Sequence, residues 1–250
     1  MKTSKFFILL ILILIPTITF SQRWKLSRSS YSYGIGISNY FGDIGGSMKT
    51  DASGFADIDL VNSRPTLAVG YRYKLHERLA IKANLTYANI HGSDVNSKNE
   101  SRNHTFSTNM FELNSHIEFH ITKEKTVVSY KTMSMRGKLR KFNVGLNIYI
   151  FAGAGVAYSK PKAKDNLIYD QRFNDGKNFG VVVPFGVGVR YPLSTKASVG
   201  LELGRRFITS DYIDGFNTEF SQSKDVYYFT VINVSYKIKR KSNSKKELRL

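Results

Sequence analysis

The sequence contains no cysteine, which excludes disulfide bonds and thiol chemistry. Acidic residues are also scarce, with 19 Asp and Glu against 37 Lys and Arg, a formal net charge of +18. Beyond the N-terminal segment, no apolar run approaches the length of a membrane-spanning helix, and no long stretch repeats with helical periodicity. What remains is a basic chain that we expect to be built from β-strands.

The N-terminal segment 1–21 has the order of features found in secretory signal peptides. Lys2 and Lys5 form a basic start, the apolar run 6–15 follows, and small residues end the segment at Ser21. We predict cleavage after Ser21, and the alternative is an uncleaved N-terminal anchor. Since no cysteine follows, no lipid anchor is expected. Because an exported chain does not meet cellular DNA or RNA, we expect no nucleic-acid partner despite the basic charge.

The remainder of the chain is dominated by alternating apolar and polar residues. In MFELNSHIEFHI (110–121), nearly every second residue is apolar, and the residues between them are Glu, Asn and His. This period of two predicts β-strands, because successive side chains point to opposite faces of a sheet. We predict eight strands, at 31–41, 64–74, 79–90, 108–121, 143–158, 179–191, 197–207 and 226–238.

The predicted connections are long after strands one, three, five and seven and tight after strands two and six, whereas 122–142 breaks this rule. Long outer loops, short periplasmic turns and an even strand number are typical of outer-membrane barrels. The predicted fold is therefore all-β: an eight-stranded antiparallel up-and-down transmembrane β-barrel over 22–238, located in the cell outer membrane, with a basic periplasmic tail at 239–250. The alternative is a soluble β-barrel or sandwich with the apolar face inward.

Two local features follow from the barrel hypothesis. Tyrosines near strand ends are expected in the interfacial girdles: Tyr31, Tyr33, Tyr73, Tyr87, Tyr158, Tyr191, Tyr227 and Tyr236. Pro184 lies inside the sixth strand and cannot donate to the strand ladder, so a bulge or a strand start is expected there.

The polar faces of the strands would line a lumen just wide enough for side chains to fill. Buried charges have to be paired, so the sequence predicts a lumenal ion-pair network. Its expected members, besides His120, are Arg72, Lys82, Glu112, His116, Glu118, Arg190, Glu202 and Arg206. The alternative is a proton or ion path. No metal site is expected, because His116 and His120 would lie roughly 13 Å apart along one strand.

The periplasmic end is predicted to be strongly basic. The segment 122–142 has seven Lys and Arg against Glu124, and the tail 239–250 has six against Glu247. An anionic partner or lipid headgroups could dock there by salt-screened attraction, and the alternative is a merely solvated surface. The residues assigned to periplasmic partner docking are Lys138, Arg140, Lys141, Lys239, Arg240 and Lys241.

Six segments together resemble a family of Bacteroidota outer-membrane β-barrels: SNYFGDIGG (38–46), RPTLAVGYRYKLHERLAIKANLTYANIHGSD (64–94), FELNSHIEF (111–119), FAGAGVAYSKPKA (151–163), PFGVGVRY (184–191) and GLELGRRFITSDYIDG (200–215). That family includes the small barrel component of the type IX secretion and gliding machinery. The resemblance implies a membrane-embedded barrel without catalytic residues. Unlike barrels that end on a terminal aromatic residue, this chain continues past strand eight into a basic tail.

The expected function is therefore a non-enzymatic outer-membrane barrel that anchors or organises a protein assembly, with the type IX apparatus as the named candidate. Its expected partners are outer-membrane lipid and periplasmic or outer-membrane proteins, and neither cofactor nor catalytic residue is expected. One alternative is a lipid A-modifying enzyme that uses His91 and His104 near an outer loop. Another is a narrow, porin-like transporter for small solutes or ions.

Overall fold

The computed structural model describes residues 27–41, 44, 62–95, 100–122, 124, 145–194, 196–210, 213–215 and 226–238. Within these ranges the strands are β1 (Ser29–Phe41), β2 (Arg64–Lys74), β3 (Leu79–Ser93), β4 (His104–His120), β5 (Asn147–Asp165), β6 (Asn178–Pro192), β7 (Ala197–Ile208) and β8 (Val226–Ile238). Each strand pairs antiparallel with its neighbour in sequence, and β1 pairs with β8 to close the ring. The predicted eight-stranded antiparallel barrel is confirmed.

The two ends of the barrel differ in their connections. At one end, tight turns join β2 to β3 and β6 to β7, with Leu75 N donating to Leu79 O (2.9 Å) and Leu193 N to Ala197 O (3.0 Å). This end also carries the start of β1 and the end of β8, so we call it the periplasmic mouth. The opposite end is the outer mouth, where single-turn 3₁₀ helices lie at Glu100–Arg102 and Asn166–Tyr169. No helix among the described residues has the length and apolar character needed to span a membrane.

Apolar side chains cover the outside of the barrel in continuous rows. The strand register aligns Leu85, Leu113, Val156 and Val181 across β3 to β6. On the outer face, Leu113 is 56% exposed and Ile35 is 67% exposed. The polar residues that alternate with such apolar residues along each strand point inward. We call this exposed apolar surface the apolar belt. Hydrocarbon covers such a surface in a transmembrane barrel. The soluble alternative, which places the apolar face of the strands inward, is therefore wrong for these strands.

Aromatic residues border the belt at both ends. Towards the outer mouth, the register places Tyr87, Phe111, Tyr158 and Phe179 side by side on β3 to β6; we call these four residues the aromatic row. Towards the periplasmic mouth, Tyr31 lies between Tyr71 and Tyr236 on adjacent strands. These are the positions of interfacial girdles.

Tyr227 was expected in a girdle, and this expectation is wrong. Its side chain is 0% exposed and lies inside the barrel against Phe229, with ring centroids 5.2 Å apart. The physical reason is strand parity: Tyr227 shares the inward face of β8 with Phe229, Val231 and Asn233, whereas Tyr236 lies on the outward face.

The expected bulge or strand start at Pro184 is also wrong. Pro184 lies within β6 and pairs with Arg206 of β7. On the β5 side the pairing stops at Ala152–Phe185 and resumes at Gly155–Val182 in the same register, so no residue has been inserted. A missing proline donor is accommodated here by a gap in the ladder rather than by a bulge.

Candidate functional site

The inward faces of the strands bring most of the charged residues of the barrel wall into the lumen. All eight residues of the expected network are at most 8% exposed there: Arg72, Lys82, Glu112, His116, Glu118, Arg190, Glu202 and Arg206. They lie on five different strands, β2, β3, β4, β6 and β7, because each of these strands contributes the polar half of its alternating pattern. Their contacts form three groups, one around each buried carboxylate.

The group nearest the periplasmic mouth is centred on Glu118 of β4. Arg72 Nε donates to Glu118 Oε2 at 2.6 Å, and Arg190 Nη2 donates to Glu118 Oε1 at 3.2 Å. Arg72 and Arg190 belong to β2 and β6, which are opposite each other in a ring of eight. A single carboxylate therefore links two opposite walls of the barrel through charge-assisted hydrogen bonds.

His120 extends this group towards the base of β5. Its Nε2 lies 2.7 Å from Arg72 Nη2 and 3.2 Å from Glu118 Oε2. Its Nδ1 lies 2.6 Å from Asn147 Oδ1, and the Asn147 amide donates to the carbonyl of Thr122. His120 therefore connects the Glu118 group to the start of β5.

The second group, deeper in the barrel, is centred on Glu202 of β7. Lys82 Nζ donates to both carboxylate oxygens, at 2.6 and 2.9 Å, and Tyr149 donates to Glu202 Oε1 at 2.7 Å. Lys82 lies on β3, opposite β7, so this ion pair also spans the lumen. Arg190 stacks over the Tyr149 ring, 4.8 Å from its centroid, and connects this group to that of Glu118.

The third group surrounds Glu112 of β4. Tyr227, on the opposite strand β8, donates to Glu112 Oε2 at 2.6 Å, and Asn114 donates to Oε1 at 2.5 Å. Arg206 Nε lies 3.6 Å from Glu112 Oε1, and His116 Nδ1 lies 3.1 Å from the side-chain amide oxygen Oδ1 of Asn114. The interior is therefore bridged between opposite walls at three levels.

The alternation pattern did not reveal the role of Glu124, which lies beyond the end of β4. Its carboxylate, 5% exposed, accepts from Lys74 at 3.0 Å, forms an ion pair with Lys237, and lies 3.5 Å from Arg72. Although burial alone raises the pKa of the Glu124 carboxyl, the charges of Arg72, Lys237 and Lys74 hold that pKa well below its usual range. We call this contact the Glu124 clamp, because it fixes the start of the β4–β5 connection across the periplasmic mouth.

The outer half of the lumen is apolar, which the predicted polar interior did not anticipate. Phe106, Met110, Tyr227 and Phe229 form a fully buried cluster there, and loop residues add to it from the outer mouth. Those additions are Ile44, Leu167 and Ile213. A cavity of about 10 Å³ lies between the apolar cluster and the Glu202 group, lined by Lys82, Asn84 and Asn233 among others, which is room for about one water molecule.

The two histidines of the enzyme alternative lie on opposite faces of the barrel wall. His91 is on the outward face of β3 and half-buried, whereas His104 starts the inward face of β4 and is 7% exposed. His104 Nε2 lies 3.9 Å from Asp170 Oδ2. The hydrogen bonds from Arg172 hold the pKa of the Asp170 carboxyl at about 2, so Asp170 stays ionised at the outer mouth.

Two further expectations concern a metal site and partner docking. Among the described residues, no group of three or more His, Cys, Asp or Glu side chains could hold a metal ion. The residues assigned to partner docking, Lys138, Arg140, Lys141, Lys239, Arg240 and Lys241, lie outside the described ranges, as does the predicted signal peptide 1–21. The partner-docking residues and the signal peptide therefore stay predictions.

An apolar belt between aromatic borders, wrapped around an ionic interior, identifies the molecule as an outer-membrane β-barrel. The model of a family described as domain of unknown function DUF6089 matches residues 4–241. No curated protein matches the chain.

Three solved structures illustrate the similarity to known barrels. They are Ail of Yersinia pestis, solved with the heparin analogue sucrose octasulfate (12% identity, 85% of this chain and 99% of that chain covered, TM-score 0.45); the N-terminal β-barrel domain of Pseudomonas aeruginosa OprF (11%, 85% and 99%, 0.45); and Neisserial surface protein A (7%, 84% and 96%, 0.44). At such identities and scores, no ligand or activity is transferred from these proteins to this chain.

Proposed function

The chain belongs to the DUF6089 family, and from that premise we propose that it is a non-enzymatic outer-membrane barrel that anchors a protein assembly through its periplasmic end. The observation that carries the proposal is the filled interior. Opposite walls are joined at three levels by Glu118, by Lys82 with Glu202, and by Glu112 with Tyr227. Because the lumen is packed in this way, we expect the barrel to bind its partners through its outer surface and its two ends.

The described residues that flank two basic segments of the sequence lie together at the periplasmic mouth. The Glu124 clamp joins the start of the β4–β5 connection to Lys237, one residue before the end of β8. We therefore expect the segment 122–142 and the tail 239–250 to lie on the periplasmic side. Their thirteen Lys and Arg residues against two Glu favour an anionic protein partner.

Two observations favour this proposal over the alternative functions. Charged and hydrogen-bonding side chains join opposite walls of the lumen at three levels, which obstructs a solute path and disfavours the narrow transporter. The placement of His91 and His104 on opposite faces of the wall disfavours a shared catalytic site for lipid A modification, because the groups of such a site must be within hydrogen-bond reach. The sequence resemblance supports the finer proposal that the assembly is the type IX secretion and gliding apparatus.

The test is affinity purification of the full chain from native outer membranes. We expect protein partners to co-purify, and to be depleted in the variants Lys138→Gln/Arg140→Gln/Lys141→Gln and Lys239→Gln/Arg240→Gln/Lys241→Gln. The matched control, Lys49→Gln/Lys98→Gln/Lys177→Gln, removes the same charge from connections at the outer mouth and should retain the partners. Equal recovery of partners from all three variants would refute docking through the periplasmic bases.

A further inference from the structure

The barrel wall extends past the aromatic row on three strands. β3, β4 and β5 are 15, 17 and 19 residues long, and their pairing continues outward from Tyr87, Phe111 and Tyr158 for three more rows of outward-facing residues. These rows are Asn89–Asn109–Lys160, His91–Ser107–Lys162 and Ser93–Thr105–Lys164. The outward surface of these three strands thus changes at the aromatic row from apolar, with Ser115 as the exception, to polar.

Three lysines stand in line on this extension, and we call Lys160, Lys162 and Lys164 the lysine ladder. All three are exposed, while Ala163 between them packs against the apolar cluster in the interior, which fixes the ladder on the outside of the wall. Alternate residues of a strand are separated by about 6.7 Å, so the three ammonium groups rise in steps above Tyr158.

The neighbours of the ladder are neutral hydrogen-bonding groups. In the first row Asn89 donates to Asn109 at 2.8 Å, and in the third Ser93 and Thr105 hydroxyls are 3.1 Å apart. The nine outward positions of the three rows contain no carboxylate. Positive charge therefore accumulates on a surface that is continuous with the lipid-facing belt.

We propose that the lysine ladder binds the phosphate groups of a phosphorylated glycolipid in the outer leaflet. Aromatic girdles mark the level where hydrocarbon meets headgroups, and the ladder begins in the first row above that level. Lysine stems can lie along the apolar wall while their ammonium groups reach the headgroups. The ladder faces sideways into the leaflet rather than into the lumen, which favours a lipid over a soluble anion.

The experiment is native mass spectrometry of the detergent-purified full chain titrated with lipid A that carries two phosphates. We expect the variant Lys160→Gln/Lys162→Gln/Lys164→Gln to bind at least about tenfold more weakly than the unaltered chain. The charge-matched control Lys49→Gln/Lys98→Gln/Lys177→Gln should bind like the unaltered chain, and Lys160→Arg/Lys162→Arg/Lys164→Arg should retain affinity. Dephosphorylated lipid A should bind the unaltered chain as weakly as lipid A binds the Gln variant.

Several outcomes would overturn the proposal. Equal affinity for phosphorylated and dephosphorylated lipid A would do so on the unaltered chain alone, even if the Gln variant failed to fold. An equal loss in the control variant would attribute the effect to net charge rather than to the ladder. Displacement of lipid A by millimolar inorganic phosphate or by sucrose octasulfate would reassign the ladder to soluble anions.

Discussion

At the scale of single residues, Glu118 is the lumenal residue on which we expect the stability of the barrel to depend most. It is 0% exposed and accepts from two arginines on opposite walls, at 2.6 and 3.2 Å. Breaking a buried ion pair by removing one partner is costly, because the remaining charges stay buried without compensation. Stability at this point depends on the carboxylate charge and not merely on its volume.

We therefore predict that Glu118→Gln lowers the free energy of unfolding by about 3 to 5 kcal/mol. Urea titration of the barrel in lipid vesicles, followed by gel mobility of the unheated protein, measures this change. Asp175→Asn, a charge removal in an exposed outer connection, should change it by less than about 0.5 kcal/mol. A loss below about 1 kcal/mol for Glu118→Gln would mean that water compensates the arginines and that the interior is not dry.

Residues of the lumen differ in how far the sequence predicts their position. The lumenal position of Glu112, Glu202 and the other network charges follows from the period of two alone, because the parity of a residue decides which face of the strand it occupies. The same parity places Tyr227 inside the barrel, although it lies near a strand end, where tyrosines of an interfacial girdle are also found. Glu124 had no such signal, since it follows the last alternating residue and its lysine partners are distant in sequence.

At the scale of strands and connections, the sequence predicted the existence and order of all eight strands, but β3, β4 and β5 extend further towards the outer mouth than predicted. Apolar and polar residues alternate, and so reveal a strand in the sequence, only where one face of that strand meets hydrocarbon. Beyond the aromatic row both faces can be polar, as at Lys160 and Ser159, while the backbone ladder continues. The periodicity of the sequence therefore does not predict where strands end outside the membrane.

The Glu124 clamp gives a prediction for the β4–β5 connection. Glu124→Gln leaves Lys74 and Lys237 without their carboxylate, so the start of the connection should open more often. We expect limited trypsin cleavage after Lys123 or Lys125 to be faster by about tenfold at neutral pH, corresponding to roughly 1.4 kcal/mol. Asp175→Asn serves as the control of equal charge, and an unchanged cleavage rate in Glu124→Gln would show that the clamp does not hold the connection.

The clamp also has a defined pH dependence. The folded-state pKa of Glu124 is depressed, so its stabilising contribution is complete above the ordinary carboxyl pKa of 4.5 and is lost as the pH falls through the lower folded-state value. Hydrogen exchange at residues 121–124, corrected for intrinsic rates, should be constant from pH 7 to about 4.5 and rise only below. A rise that begins near pH 6 would contradict a carboxylate clamp.

At the scale of the whole molecule, the wall between the two aromatic borders has an apolar outer face and places its ion pairs in the lumen, the reverse of a soluble protein. Closure makes this arrangement possible, because the pairing of β1 with β8 leaves no open sheet edge facing hydrocarbon. The same inversion explains why the inside of the barrel can be filled by ion pairs that opposite strands share. It also determines where a new charge can be tolerated.

The inversion predicts different outcomes for a change to Arg at two exposed apolar residues. Ile117 lies near the middle of the apolar belt on β4 and is 54% exposed, and Leu75 lies in the β2–β3 turn and is 45% exposed. In a soluble barrel both changes to Arg would be mild, since both side chains would already meet water. In a transmembrane barrel Ile117→Arg should cost about 2 to 4 kcal/mol and Leu75→Arg about 0 to 1 kcal/mol, because the penalty depends on depth. Urea unfolding in vesicles measures both, and equal small losses would mean that water, not hydrocarbon, surrounds the belt.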